Sequence, residues 1–187
     1  PYVVCKSLRQ MPLSNDYNTL VKRFFDIVFS LFIIMFFLSW ITPIIALLIK
    51  IESSGPVFFK QTRNGIKYKE FTCYKFRSMV ENIDADIQQA TKNDKRVTKI
   101  GKILRKTSLD ELPQFYNVLI GNMSVVGPRP HMIKENERYS KSVNKFMVRH
   151  FVKPGITGLA QVKGFRGEIE TNEDIVNRVK FDIYYLE

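Results

Sequence analysis

Asp110 and Glu111 stand side by side in a stretch with arginine on both flanks, Arg105 before them and Arg129 after. Ionised carboxylates bind hard cations and attack phosphorus, and the guanidinium fork matches phosphate oxygens. This composition suits chemistry on a phosphorylated substrate. Neighbouring residues on a helix point about 100° apart, as about 3.6 residues per turn requires, so the two acids can flank one substrate without sharing a proton. A structural reading competes. Ser108-Leu-Asp-Glu111 matches the S-x-x-E capping box, in which both side chains satisfy backbone donors at a helix start. Pro113 weighs against Ser108 as that cap, because it would fall just past the first turn and leave the Leu109 carbonyl without its partner. A helix starting at Leu109 or Asp110 puts Pro113 inside the first turn, where no donor is needed. Asp110 then sits at the positive end of the helix, which favours its ionised form. Spacing alone leaves catalysis and capping both open.

The other charged residues have plain alternatives as well. Arg129 lies in Gly127-Pro-Arg-Pro130, where each residue before a proline is kept out of the helical region, so a stiff backbone holds it. Its bland role is a surface ion pair. Lys75, Arg77, Arg105 and Arg166 default to solvated surface charge. His131 and His150 lack metal-ligand spacing and receive no chemistry. Cys5 and Cys73 are isolated, so neither a zinc site nor a disulfide framework is indicated, and a reduced, cytosol-facing location is the simpler reading. Gly155, Gly158 and Gly164 read as turn formers, since no G-x-x-x-x-G-K pattern is present.

The elements that must position these residues begin with a greasy run. From Ile27 to Ile49 there are 23 residues without a charge, interrupted only by Ser30, Ser39, Thr42 and Pro43. A straight helix of that length reaches about 35 Å, enough to cross the hydrocarbon layer. The run lies too far from the start, and lacks the cleavage pattern, for a signal peptide. Lys6, Arg9, Lys22 and Arg23 precede it, and Lys50, Lys60, Arg63, Lys67 and Lys69 follow it. The positive-inside rule then places both ends in the cytoplasm, which a re-entrant helix satisfies and a spanning one does not. Pro43 marks a kink site, with Ser39 and Thr42 able to bond the carbonyls it frees. A spanning helix with a mild proline bend is the alternative, and sequence physics leaves the two open.

Beyond the run, residues 53–65 read as a turn, a strand and an Asn-Gly turn, and Phe71 to Phe76 as the second strand of a β-hairpin. The acidic stretch from Val80 to Asp94 reads as a mobile flap. Thr98 to Lys106 spaces Ile100, Ile103 and Leu104 on one face of a short basic amphipathic helix. Leu112, Phe115, Tyr116 and Leu119 recur at helical spacing, with Gly121-Asn122 as the stop. Met123 to Val126 is a short buried strand, 134–150 is helical, Lys153 to Gly164 a glycine-punctuated loop or strand, and Asn172 to Tyr185 a final amphipathic helix. The fold class is α+β, mostly helical, with a small β-hairpin and an N-terminal re-entrant membrane helix. The chain divides into a lead-in at 1–19, the membrane helix at 20–52 and a cytosolic catalytic domain at 53–187. A start at Pro1 and a stop at Glu187 after an aromatic stretch read as part of something longer.

With 187 residues the chain holds one ordinary domain with a real core, and 29 basic against 18 acidic side chains leave a net charge of +11. That charge fits anionic lipid, nucleotide phosphates or nucleic acid. A non-catalytic basic module on a membrane surface, binding anionic lipid or nucleic acid, is the rival class. The basic residues are spread along the chain rather than gathered on a reading element, which argues against nucleic acid.

Taken in order, Lys22-Arg-Phe-Phe-Asp26, Gly55-Pro-Val-Phe-Phe-Lys-Gln61, Tyr74-Lys-Phe-Arg-Ser-Met79, Ser108-Leu-Asp-Glu-Leu-Pro-Gln114, Val126-Gly-Pro-Arg-Pro130 and Lys153-Pro-Gly-Ile-Thr-Gly-Leu-Ala-Gln-Val162 resemble the bacterial sugar transferase family, the monotopic polyprenyl-phosphate phosphoglycosyl transferases. The resemblance covers about residues 20–187. It implies a ping-pong transfer at the cytoplasmic face of a bacterial inner membrane. An aspartate attacks the β-phosphate of a UDP-sugar with Mg²⁺ bound, UMP leaves, and the phosphosugar passes to undecaprenyl phosphate. Asp110 matches the nucleophile and would touch the metal, and Glu111 fills the second place of the acid dyad. Arg129, Lys75 and Arg105 would hold phosphates, with Arg166 at the nucleotide end. The family's helix bends at a Ser-Pro pair, whereas here Ser39 is followed by Trp40 and the proline comes at Pro43. The sugar and the glycan pathway, exopolysaccharide, capsule or O-antigen, are not read from the residues.

Overall fold

The computed structural model describes residues 12–81, 91, 94–167, 169 and 171–187. The lead-in before residue 12, with Cys5, and most of the expected flap lie outside the described residues. One long helix dominates the first part. Asn15 caps it by accepting from the Tyr17 amide at 2.9 Å, and helical backbone then runs without a break over 37 residues, Asp16–Glu52. It consists of α1 (Asp16–Ile33), a widened π-helical turn (Ile34–Leu38) and α2 (Ser39–Glu52). The irregularity therefore precedes Pro43, which sits inside α2. Ser39 Oγ donates to Met35 O at 2.5 Å and Trp40 Nε1 to Phe36 O at 2.6 Å, so these side chains serve carbonyls of the widened turn. This corrects the expected bonds from Ser39 and Thr42 to the carbonyl that Pro43 frees. Ser39 is engaged one turn earlier than the carbonyl Pro43 frees, and Thr42 Oγ1 is buried with no partner among the described residues.

One face of this helix is part of the main core. Leu38, Ile45 and Ile49 recur at helical spacing and pack with Phe71, Cys73, Phe76, Leu104, Phe115, Val118 and Met123. The other face stays open, with Phe24, Phe36, Trp40, Leu47 and Ile51 all exposed. Polar contacts fix both ends to the same body. Near the start, Asp26 Oδ1 accepts from Ser124 Oγ at 3.0 Å and from the Val125 amide at 2.9 Å, and Arg23 donates to the carbonyls of Val118 at 2.6 Å and Leu119 at 2.8 Å. At the far end Glu52 accepts from the Lys99 and Ile100 amides at 2.6 and 2.8 Å.

The expected hairpin is present as β1 (Phe58–Asn64) and β2 (Glu70–Phe76), antiparallel, with Phe59 opposite Lys75 and Gln61 opposite Cys73. Its connection is wider than an Asn-Gly turn. The left-handed positions fall on Lys67 (φ 51°) and Tyr68 (φ 63°), while the Gly65 amide donates to Lys69 O at 2.8 Å.

The basic amphipathic helix is α3 (Lys99–Thr107), capped by Thr98 Oγ1 on the Gly101 amide at 2.9 Å. Ser108 (φ 61°) then breaks the helix into a 3₁₀ turn, Leu109–Glu111, and α4 runs over Gln114–Ile120 with Pro113 just before it. Helix α4 thus begins later than Leu109 or Asp110, and Ser108 makes no capping bond, so the capping-box reading fails as well. Gly121 (φ 102°) ends α4 in the left-handed conformation that favours glycine.

Strand β3 (Ser124–Val126) pairs in parallel with β4 (Gly155–Thr157), which follows α5 (Ile133–Ser142) and a 3₁₀ segment, Phe146–Phe151. The helix expected over 134–150 is therefore two pieces. Val143 leaves helical backbone and is buried with Tyr139, Phe146, Ile175 and Val179 in a second, smaller core. Short α6 (Leu159–Val162) and the closing α7 (Asn172–Leu186) complete a mostly helical α+β fold.

Candidate active site

A cleft of about 740 Å³ opens between the hairpin, the end of α3, the Asp110 turn and the Pro-Arg-Pro loop. It is strongly basic. Lys60, Arg63, Lys75, Arg77, Arg96, Arg105, Arg129, Arg166 and Arg178 all line it, against Glu81, Asp110, Glu111 and Glu135.

The two adjacent acids have separate environments. Glu111 is the hub of a buried cluster: Lys75 Nζ donates to its Oε1 at 2.7 Å, and Arg129 grips both oxygens, Nη1 on Oε2 at 2.9 Å and Nη2 on Oε1 at 2.5 Å. Burial works against the Glu111 charge, but Lys75 and Arg129 outweigh it and hold the carboxyl well below the usual carboxylate range. The same bond keeps Arg129 firmly protonated despite burial. Burial pulls Lys75 the other way, lowering its ammonium, and Glu111 offsets only part of that.

Asp110 is only 7% exposed, yet its carboxylate makes no hydrogen bond among the described residues and faces the cleft. Burial pushes its carboxyl above the usual range and Glu111 adds to this, while Lys75, Arg105 and Arg129 pull the other way. Neighbouring carboxylates driven apart in this way suit different tasks. Glu111 sets the cations in place, and Asp110 keeps a hard oxygen available to a ligand.

Local structure explains how four separate stretches converge. Ser108 turns left-handed at the end of α3, so the next residues swing back toward the hairpin instead of continuing along the helix axis. Lys75 reaches Glu111 from β2. The loop bearing Arg129 is stapled to the chain around β4 through Gly127 N on Thr157 O and Gly155 N on Pro128 O, each 2.9 Å. A Cβ at Gly127 would lie 2.5 Å from Lys153 O, so only glycine permits that approach. Arg149 supports the loop from behind, donating to Arg129 O at 2.6 Å while pairing with Asp182 at 3.0 Å. Arg63 donates to Pro130 O on the other side.

All the residues singled out in the sequence thus meet in one cleft: Asp110, Glu111, Lys75, Arg105, Arg129 and Arg166. Arg166 donates to Ser108 Oγ beside the Asp110 turn. Arg77 is not the solvated charge of the default reading. It is 6% exposed and donates to the carbonyls of Ser53 and Ser54. Lys75 and Arg129 likewise belong to a partly buried ion cluster, not to open surface. His131 is buried at the edge of the cleft, and burial with Arg149 and Arg178 nearby keeps its imidazole neutral. Sequence reasoning passed over Gln61 and Arg63. Their signal was alternation: polar residues two apart on the hairpin face that carries Lys75.

No group of three or more metal-binding side chains occurs among the described residues. Of the two adjacent acids, Asp110 offers hard oxygens without a hydrogen bond among the described residues, while both Glu111 oxygens are occupied. That donor set fits Mg²⁺ as it is commonly held with phosphorylated substrates, by one carboxylate and the substrate's own oxygens.

A carboxylate on a 3₁₀ turn thus faces a cation-lined cleft, in a body packed along one side of a long helix whose outer face is apolar. The model for the bacterial sugar transferase family matches residues 17–187, and the chain belongs to that family. It is 53% identical over 174 residues to a UDP-glucose:undecaprenyl-phosphate glucose-1-phosphate transferase of Klebsiella pneumoniae, covering 92% of this chain and 37% of that protein. A protein of the same name from Escherichia coli K12 is 52% identical over 181 residues, 96% of this chain and 38% of its own length. The chain thus spans under two fifths of both. It covers far more, 86%, of the exopolysaccharide production protein PSS of Rhizobium leguminosarum bv. phaseoli, at 45% identity over 174 residues and 90% of this chain.

Proposed function

We propose that the chain is the catalytic part of a phosphoglycosyl transferase that moves a sugar 1-phosphate from a UDP-sugar to undecaprenyl phosphate. A carboxylate oxygen of Asp110 attacks the β-phosphorus, the bond from that phosphorus to the bridging oxygen breaks, and UMP leaves with the electron pair. An oxygen of undecaprenyl phosphate then attacks the same phosphorus, and the Asp110 carboxylate is regenerated. Splitting the transfer lets one site serve a soluble donor and a greasy acceptor in turn. Mg²⁺ held by Asp110 and the substrate's phosphate oxygens would supply charge neutralisation for the leaving group. Arg129 and Lys75, preset by Glu111, and Arg105 with Arg166 at the rim would steady phosphate oxygens as charge redistributes. The donor we favour is UDP-glucose, since the relatives at 52% and 53% identity carry it in their names.

The same reading gives the long helix its place, re-entrant in the cytoplasmic leaflet of a bacterial inner membrane. Its polar anchors at Arg23, Asp26 and Glu52 hold both ends to one body, which supports this topology. The observation that carries the reaction is the contrast between Asp110, open to the cleft, and Glu111, neutralised by cations. Protein given UDP-glucose, Mg²⁺ and undecaprenyl phosphate should release UMP, and Asp110→Asn should reduce release by at least a thousandfold, on the order of a lost nucleophile. A loss below tenfold in a folded variant would overturn the nucleophile assignment.

A further inference from the structure

The Asp110 turn is not an independent loop; it hangs from α3, and α3 is held at its start by a residue of the long helix. Glu52 is the last residue of α2, and its two carboxylate oxygens accept from the Lys99 and Ile100 amides at 2.6 and 2.8 Å. Thr98 Oγ1 takes the next amide, Gly101, at 2.9 Å. Three successive donors that helix geometry leaves without partners are thus satisfied, two of them by a carboxylate 47 and 48 residues away in sequence. A negative charge at that end also complements the helix dipole.

The seat is tight on its other side. A Cβ at Gly101 would lie 1.9 Å from Ser78 O, so the first turn of α3 rests directly on the backbone that follows β2. Arg77, one residue earlier, donates to Ser53 O at 2.7 Å and to Ser54 O, directly after Glu52. The exit of α2 is therefore latched to two walls of the cleft at once. At the opposite end of α3 stand Arg105, then left-handed Ser108, whose carbonyl accepts from the Glu111 amide at 3.1 Å, and then Asp110. A nine-residue helix is short and stiff, so a shift at its start is carried to its end.

We propose that Glu52 is a positioning residue for the reaction: by capping α3 it sets where Arg105 and the Asp110 turn stand, and so ties the placement of the long helix to the geometry of the cleft. This rests on the phosphoglycosyl transfer proposed above. It makes two demands that a merely structural cap would not. Loosening the cap must be felt at the far end of α3, and it must slow the chemical step more than it weakens donor binding.

The test uses the whole chain in lipid nanodiscs, with Glu52→Gln, which keeps one accepting oxygen without the charge, and Glu52→Ala, which removes both. Hydrogen exchange of the Lys99 and Ile100 amides should speed up about fivefold in Glu52→Ala, the scale of a lost N-cap. Exchange of the Glu111 amide, which bonds Ser108 O beyond the far end of α3, should speed up with it, Glu52→Gln lying between Glu52→Ala and wild type. In UMP release, kcat should fall about three- to tenfold in the same order, with KM for UDP-glucose within about twofold. Val143→Ala, a truncation in the second core, should lower stability without moving kcat, which separates positioning from general loosening. If Glu52→Ala does not fold, the Glu52→Gln arm decides alone. Unchanged exchange at Lys99 and Ile100, unchanged exchange at Glu111, or faster exchange with kcat intact, overturns the proposal. A wild type that releases no UMP from any donor would fault the reaction instead, and the exchange arm would still judge the cap.

Discussion

At the scale of single residues, Asp110 shows how function and stability pull apart. Burial raises its carboxyl above the ordinary value of 3.8, so between that value and the raised one the folded chain binds more protons than the unfolded chain. Stability on this account falls as pH rises through the window, and the deficit remains at neutral pH. Asp110→Asn removes the buried charge. The variant should therefore melt higher than wild type at pH 7, by about 2–4 °C for each kcal/mol recovered in a chain of this size. The gap should close below pH 3.8, where both proteins are neutral at this position. Melting curves at the two pH values decide it, and an equal or lower Tm at pH 7 would mean that Lys75, Arg105 and Arg129 already compensate the charge. The sequence made Asp110 and Glu111 visible as a pair, because adjacent acids among arginines are uncommon enough to notice. It could not tell them apart. Their difference comes from Lys75 and Arg129, which lie 36 residues before and 18 residues after Glu111 and meet it only in the fold.

At the scale of elements, the join between α4 and β2 keeps the cluster in register. Asn117 is fully buried in α4; its Nδ2 donates to Thr72 O at 2.7 Å and its Oδ1 accepts from the Tyr74 amide at 3.0 Å. One side chain thus satisfies the outer backbone of β2 right next to Lys75. Asn117→Ala leaves both backbone groups buried and unsatisfied, at about 1–3 kcal/mol each. Chemical denaturation should show a fall of that size, and Asn117→Asp, which keeps the acceptor but sets a buried carboxylate oxygen against the Thr72 carbonyl, should fall at least as far. A loss under about 0.5 kcal/mol, the scatter of ordinary surface changes, would mean water replaces the amide. Elements with a strong local signal were legible in the sequence. The hairpin strands, α3, the Gly121 stop and α7 followed from periodicity and turn residues, while the Thr98 and Thr171 caps emerged only in the structure. Elements decided by tertiary contact were not: the break after Ser142 exists because Val143 is drawn into the second core, and the left-handed Ser108 because the Asp110 turn must face the hairpin.

At the scale of the whole molecule, the long helix has two incompatible faces. Leu38, Ile45 and Ile49 are buried in the same core as the hairpin and α4, whereas Phe24 is 71% exposed, Leu47 62% and Ile51 74%. A helix crossing a bilayer away from its domain would need lipid on all sides, and this one has protein along one side through most of its length. An apolar ridge of this extent in water is costly at roughly 25 cal/mol per Å². The re-entrant placement proposed above would relieve it, with the ridge sunk into a membrane and both helix ends on the protein's own side. Cysteine labelling distinguishes the two topologies. In a Cys5→Ser background, Asn18→Cys and Lys69→Cys protein added to preformed vesicles should both react with an impermeant maleimide from outside, since Cys73 is buried. A spanning helix would leave one of the two sites protected until detergent opens the vesicles. Charge on the ridge should act in the same sense: Phe36→Asp with Leu47→Asp should shift the protein from vesicles to the supernatant while leaving the Glu111 cluster intact, because neither side chain touches the core. If the double variant stayed on the vesicles, the ridge would not be the surface that meets lipid, and the basic face would have to carry the attachment.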